Sequence, residues 1–125
     1  MIGGPLKFLG QDLTTLSPSD WRRLFGNRIS MVFQDAMATL NPVLKAGDQI
    51  AICTCITAPA CREKISARLS CPFYSRVGIH ESQKRIDYHP HHLSGGMRQR
   101  TVIAAAIALQ PDLRIADKPT TALDV

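Results

Sequence analysis

An α/β fold with parallel strands is the class this sequence predicts, and three observations predict it. The apolar run "RISMVFQ" reads as a strand directly after a short helical stretch. A second apolar run, "LRIA", ends on Asp117 and follows the clearest helix of the chain. Strand, helix, strand in that order favours parallel pairing, because the helix returns the chain to the end of the sheet where it began.

Each element has its own warrant. "LKFLG" followed by "QDL" predicts a short strand and its turn. "SPSDWRRLFGN" carries helix punctuation, with Ser17 as the cap, Pro18 at the first helical position and Gly26 at the stop. In "RISMVFQ" the apolar members are Ile29, Met31, Val32 and Phe33. From Gln34 to Val43 the chain turns polar and small, and Asn41-Pro42 marks a loop. "AICTCITAPA" is open between helix and strand, since its β-branched residues and its alanines pull in opposite directions. "REKISARLS" has Ile65 and Leu69 at helical spacing and predicts a helix. The helix from Met97 to Leu109 shows Val102, Ile103, Ala106 and Ile107 as its apolar stripe, and Pro111 prevents it from continuing. "LRIA" is then expected as a buried core strand. Arg114 is irregular there, because parallel strands normally have both faces covered, and a charge is costly unless it snorkels, finds a partner or the strand is less buried.

Composition narrows the function classes. With 125 residues, 45% hydrophobic and 20% charged, the chain is expected to be one globular domain rather than disordered. No apolar run approaches the roughly 18 residues of a membrane span. The start "MIGGPLKFLG" lacks the basic and apolar regions of a secretory signal, which makes the cytoplasm the default compartment. Cys53, Cys55, Cys61 and Cys71 then read as reduced thiols, and their spacing fits no common zinc pattern. His89, His91 and His92 in "HPHH" could add ligands, but packing thiols and a polar turn are the favoured reading. A net charge of +5 permits an anionic partner. The basic residues are scattered and aromatics make up 6%, so no base-stacking platform is present and nucleic acid is not expected as a partner.

Three motifs carry chemistry: "MVFQDAMATLNPV", "LSGGMRQR" and "LRIADKPTTALDV". In the second, Ser94, Gly95 and Gly96 stand where the long helix begins, so unpaired backbone N–H groups and the positive helix end face outward. A cap and a flexible turn explain the serine but not two consecutive glycines. In the first, Gln34 ends a strand and begins a loop; alone it reads as a solvated loop glutamine, and only beside the other two motifs as an amide that can reach a metal-bound water. In the third, Asp117 lies at the carboxyl end of an apolar strand, where ligand sites of open α/β sheets collect. A carboxylate there suits Mg²⁺, which takes oxygen ligands and keeps several waters.

In this order the three motifs resemble the nucleotide-binding subunit of an ATP-binding cassette (ABC) transporter, most of all the dipeptide, oligopeptide and nickel importer group. The resemblance runs over essentially the whole chain. It implies an α/β, incomplete P-loop NTPase-like domain with parallel core strands and a helical subdomain. Residues 1–46 would supply core strands and the Q-loop, 47–92 the helical subdomain, and 93–125 the signature helix, Walker B strand and D-loop. ATP and Mg²⁺ are the implied cofactors. Ser94, Gly95 and Gly96 would close over the γ-phosphate of ATP held by a second ATPase subunit, which Asp124 would also meet. Asp117 and Gln34 would serve Mg²⁺, Gln34 as the Q-loop residue. The implied partners are a second ATPase subunit, transmembrane permease subunits and, indirectly, a periplasmic solute-binding protein. The implied location is cytoplasmic, on the inner face of the membrane. Dipeptides, longer peptides and nickel all fit as solute, since specificity lies in other subunits.

The sequence departs from the family pattern in ways that bear on catalysis. Lys118 holds the place of the catalytic glutamate that polarises the attacking water. With an ordinary pKa of about 10.4, lysine is protonated at neutral pH and accepts no proton. Its expected role is a cation paired with Asp117 or with phosphate. Met97 stands where glutamine is frequent, and Ala36 where proline is usual, which suggests a less rigid Q-loop. No G-x-x-x-x-G-K-[ST] occurs in the 125 residues, and the switch histidine that follows the D-loop in the family is missing too. Charge-assisted hydrogen bonds contribute about 1.5–3 kcal/mol each, so losing three weakens nucleotide binding about a thousandfold or more. The chain alone is therefore expected not to be a competent ATPase. Two alternatives accompany this expectation: a module that lends "LSGG" to an intact ATPase subunit, and an inert truncated product.

Overall fold

A computed structural model describes residues 4, 6–33, 36–57 and 67–117. The chain opens with a hairpin of β1 (Lys7–Phe8) and β2 (Gln11–Asp12), with Lys7 opposite Asp12. Gln11 and Asp12, expected in the turn, are the second strand. The turn itself is Leu9 and Gly10, at φ 47 and 83, the two positive φ values of a type I′ hairpin. Asp12 then caps the 3₁₀ turn Leu13–Thr15 by accepting from the Thr14 hydroxyl at 2.6 Å and the Thr14 N–H at 2.9 Å. Those bonds, the side-chain one first, hold its carboxyl below the ordinary value. Helix α1 (Pro18–Leu24) begins as the sequence predicts, with Ser17 Oγ accepting from the Asp20 N–H at 3.2 Å. Gly26 takes φ 85 just past its end. Leu13, Leu24 and Ile29 form the core here, with Phe8, Leu16 and Trp21 against them.

The sheet is parallel, as predicted. Strand β3 (Ile29–Val32) pairs with β4 (Leu113–Ala116), Ile29 opposite Leu113 and Val32 opposite Ala116. Two further bonds extend the ladder, Leu113 N–H to Arg28 O at 3.1 Å and Asp117 N–H to Val32 O at 2.9 Å. The crossover contains α6 (Gly95–Ala108), which lies on β3 through Val32, Val102 and Ala106, with Leu40 beside them.

The expectation of a buried "LRIA" strand is corrected: all four residues of β4 are exposed. The cause is its place at the edge. Among the described residues β4 pairs with β3 alone, and the apolar layer of α6 rests on β3 instead. Arg114 therefore stands in solvent, and its charge carries no burial cost.

A helical unit fills the middle: α2 (Ala36–Thr39), α3 (Ala46–Thr57), α4 (Cys71–Arg76) and α5 (Ser82–Arg85). The ambiguous "AICTCITAPA" is helical through Thr57, and Ala46, Ile50, Ala51 and Cys55 give that helix a buried face at helical spacing. Of "REKISARLS", only Ala67–Ser70 are described, as a 3₁₀ turn. The core joins Ala46, Ile50, Tyr74, Ile79, Ile86, Leu93, Ala104 and Ala108. Burial pushes the Tyr74 phenol above its ordinary pKa, and its oxygen lies 3.2 Å from Thr101 Oγ1. Helix α6 is thus buried more broadly than its predicted stripe, since Thr101, Ala104 and Ala108 are covered as well as Val102 and Ala106.

The start of α3 is capped by distant backbone. The first N–H groups of a helix lack partners within it. Here the Ala46 N–H donates to Tyr88 O and the Gly47 N–H to Ile86 O, both at 2.9 Å. Ser70 Oγ donates to the carbonyl of Gly47. The approach is so close that a Cβ on residue 47 would come within 2.7 Å of both Cβ and O of Ile86. We expect Gly47→Ala to lower the unfolding free energy by about 1–3 kcal/mol in denaturant titrations, as overpacking does. A neutral substitution would show that this contact gives way.

Candidate functional site

The head of α6 is built by local chemistry. Ser94 has extended backbone (φ −63, ψ 162), and its Oγ accepts from the Met97 N–H at 3.3 Å, while its carbonyl accepts from the Arg98 N–H at 2.9 Å. Gly95 and Gly96 occupy the first helical positions, where backbone N–H groups point out of the helix end. Ser94 and Gly95 are exposed.

Gly95 is a glycine that the fold does not require. Its φ is not positive, and a Cβ built on it meets nothing within 4 Å. Glycine in the middle of a helix costs about 0.5–1 kcal/mol relative to alanine, which is the upper bound for this first helical position. Neither backbone strain nor internal packing accounts for the missing Cβ.

The surrounding residues lock this head in place. Leu93 is buried, and Arg98 Nε donates to Pro90 O at 2.7 Å. Arg100 Nη1 reaches Gly78 O at 2.7 Å, and Thr101 Oγ1 donates to Met97 O at 2.9 Å. Sequence reasoning gave the two arginines no role, and their partners are carbonyls, which carry no side-chain signature. It also passed over Gln99, which is 1% exposed with neither amide atom partnered among the described residues. Its spacing from Val102 and Ala106 was the available signal, since it places Gln99 on the same buried face.

Asp117 stands one residue past β4, its N–H bonded to Val32 O and its side chain exposed. An exposed carboxylate at a parallel strand's carboxyl end is a hard oxygen donor of the kind Mg²⁺ takes. Gln34, Lys118 and Asp124 lie outside the described residues. The structure thus places Ser94, Gly95 and Gly96 together on one helix head, and Asp117 separately at a strand end. An open cleft of 290 Å³, lined by Gln11, Leu16, Asp20, Arg23, Leu24, Asn27 and Arg28, includes none of them.

Comparisons with known proteins agree on one family. A family model described as "ABC transporter" matches residues 2–121. The dipeptide transport ATP-binding protein DppD of Lactococcus lactis subsp. cremoris is 42% identical over 122 residues, which are 98% of this chain and 35% of that protein. The oligopeptide transport ATP-binding protein OppD of Bacillus subtilis is 44% identical over 122 residues, 98% of this chain and 34% of that protein. A putative peptide import ATP-binding protein of Brucella abortus is 44% identical over 124 residues, 99% of this chain and 37% of that protein. The chain spans about a third of the length of these relatives. Among solved structures, the dimeric ATP-binding cassette MJ0796 in a post-hydrolysis state bound to ADP and Pi superposes with a TM-score of 0.76. It is 25% identical, over 98% of this chain and 52% of that one.

Two substitutions separate cap from surface. Ser94→Ala removes the cap and should lower the unfolding free energy by about 1 kcal/mol. Gly95→Ala should leave stability unchanged or raise it by up to about 1 kcal/mol, as a fold-dispensable glycine requires. Urea titrations of both variants check this, and a Gly95→Ala loss larger than the Ser94→Ala loss contradicts it.

Proposed function

This chain belongs to the ABC transporter family, and on that premise we propose that it is part of the ATP-binding component of a peptide importer. The observation that carries the reading is Gly95, whose missing side chain serves neither conformation nor packing and leaves helix N–H groups open to an incoming phosphate. The relatives named for dipeptide and oligopeptide transport support the class of solute.

In this reading Ser94, Gly95 and Gly96 form the lid over the γ-phosphate of ATP held by a second ATPase subunit, and Asp124 belongs to the loop that meets that subunit. Asp117, with Gln34, would hold Mg²⁺ through oxygen, and the ion would neutralise phosphate charge when bound. Residues 1–46, 47–92 and 93–125 would divide into core strands, helical subdomain and signature region. The partners would be permease subunits in the membrane and, through them, a solute-binding protein, with this chain on the cytoplasmic face. No helix among the described residues is long and apolar enough to cross a membrane.

The proposed lid and magnesium post are not a complete grip on a triphosphate. Within the 125 residues no glycine-rich G-x-x-x-x-G-K-[ST] loop surrounds the phosphates, and Lys118 replaces the water-polarising carboxylate. We expect the 125-residue chain alone to show no ATP binding at micromolar concentration. Labelled ATP should instead bind more tightly to an intact relative when this chain is added, if the lid works in trans. Steady cleavage by the chain alone would end the reading, and no gain in trans would remove the lid role. In a protein that carries both this segment and a GK[ST] loop, Lys118→Glu should raise turnover about 10²–10⁴-fold, the usual contribution of general-base catalysis. Equal rates for lysine and glutamate would refute the assigned defect.

A further inference from the structure

Three imidazoles crowd the 3₁₀ turn Pro90–His92 that leads into α6. The ring centroids of His91 and His92 lie 4.0 Å apart, those of His89 and His91 5.6 Å, and those of His89 and His92 6.2 Å. Buried Leu93 separates this turn from the cap Ser94, and the Arg98 bond to Pro90 O ties the turn to the helix. His89 is half-buried, and its Nδ1 is buried with no hydrogen-bond partner among the described residues. An imidazole nitrogen either donates or accepts, and Nδ1 here does neither among the described residues. A proton added to His91 faces two further rings and the positive end of a 14-residue helix.

We propose that His89, His91 and His92 form an acid-sensitive latch on the head of α6. With His91 neutral the rings stay gathered on the turn that Arg98 ties to the helix, and a proton on His91 drives the rings apart and unseats Ser94. That this would withdraw the lid rests on the function proposed above; the latch itself does not.

The charged surroundings favour release in acid. From α6, Arg98 adds a positive charge beside the cluster. Tyr88 meets His92 edge-on at 6.2 Å, with the Arg85 guanidinium 6.0 Å from its ring centroid. On the α3 side, Asp87 is engaged by Lys45 at 2.8 Å, and Asp48 lies in that helix's first turn. His91 is held below the ordinary imidazole value of 6.5 by desolvation first, then by His92, His89 and Arg98. A lowered folded-state pKa means that the unfolded chain takes up its proton first as pH falls. The stability carried by neutral His91 is therefore complete above about pH 6.5 and is lost as pH drops through the lower folded value.

The test uses the isotopically labelled 125-residue chain, with no nucleotide. Histidine ring resonances and the exchange of the Met97 and Arg98 amides are followed from about pH 8 to about pH 5. After correction for intrinsic rates, both amides should exchange about tenfold faster at the acid end, and His91 should titrate below the ordinary range. His92→Gln, at an exposed position, should move the His91 titration upward and reduce the acid acceleration. Strong salt should move it upward in the unaltered chain, by screening ring from ring. An unmoved His91 in the variant and in salt, or amides indifferent to acid, overturns the latch. Failure of ATP to bind in trans leaves it standing.

Discussion

Helix α6 is packed on two faces at once, against β3 through Val102 and Ala106 and into the α3 and α4 core through Ala104 and Ala108, and this double burial holds the described fold together. The geometry depends on small side chains. Alanine at 104, 106 and 108 lets neighbours approach from both sides, whereas larger residues would force one layer away. Because the same helix begins at Ser94, the two cores also aim the "SGG" backbone. A glycine pair on a loose turn would present no definite surface. Here Leu93, Arg98, Arg100 and Thr101 pin the first two turns from different directions.

What the sequence made legible was local chemistry. Ser17, Pro18 and Gly26 announced α1 because a cap, a preset φ and a positive φ are properties of single residues. Ser94 was readable for the same reason. The Leu9-Gly10 turn was not, since leucine at positive φ is no turn signature. Nor was the capping of α3 by carbonyls some forty positions away, because any residue carries a carbonyl. The exposure of β4 was hidden too. Its apolar letters suit a covered strand, and only the placement of α6 on β3 leaves it bare. Arg114 was the one residue in that run to signal it.

The site follows the same division. Gly95 could be flagged from sequence as unexplained by a cap, but only the space around it shows that the fold has no use for its missing Cβ. Asp117 was located by its place after an apolar strand, and the ladder bond from its N–H to Val32 O now fixes it to that strand's end. Buried Gln99 escaped notice, because a polar residue amid "RQR" looks solvated until the helix is seen to carry two cores.

In the proposed site, Lys118 bears on turnover more than on binding. Asp117 lies at an exposed strand end, where a unit charge at about 4 Å is worth only about 1 kcal/mol in water. A neighbouring ammonium can thus balance this carboxylate without excluding Mg²⁺, whose doubled charge and direct oxygen coordination compete well. An ammonium also attracts phosphate oxygens. What it lacks at neutral pH is a lone pair, and without one it cannot draw a proton from the attacking water. If Lys118 holds the place of the catalytic glutamate, as proposed, the sign of the group changes and repulsion of phosphate becomes attraction. On the proposed reading, Ser94–Gly96 and Asp117 retain the features of binding, and the residue beside Asp117 gives up the one that belongs to turnover.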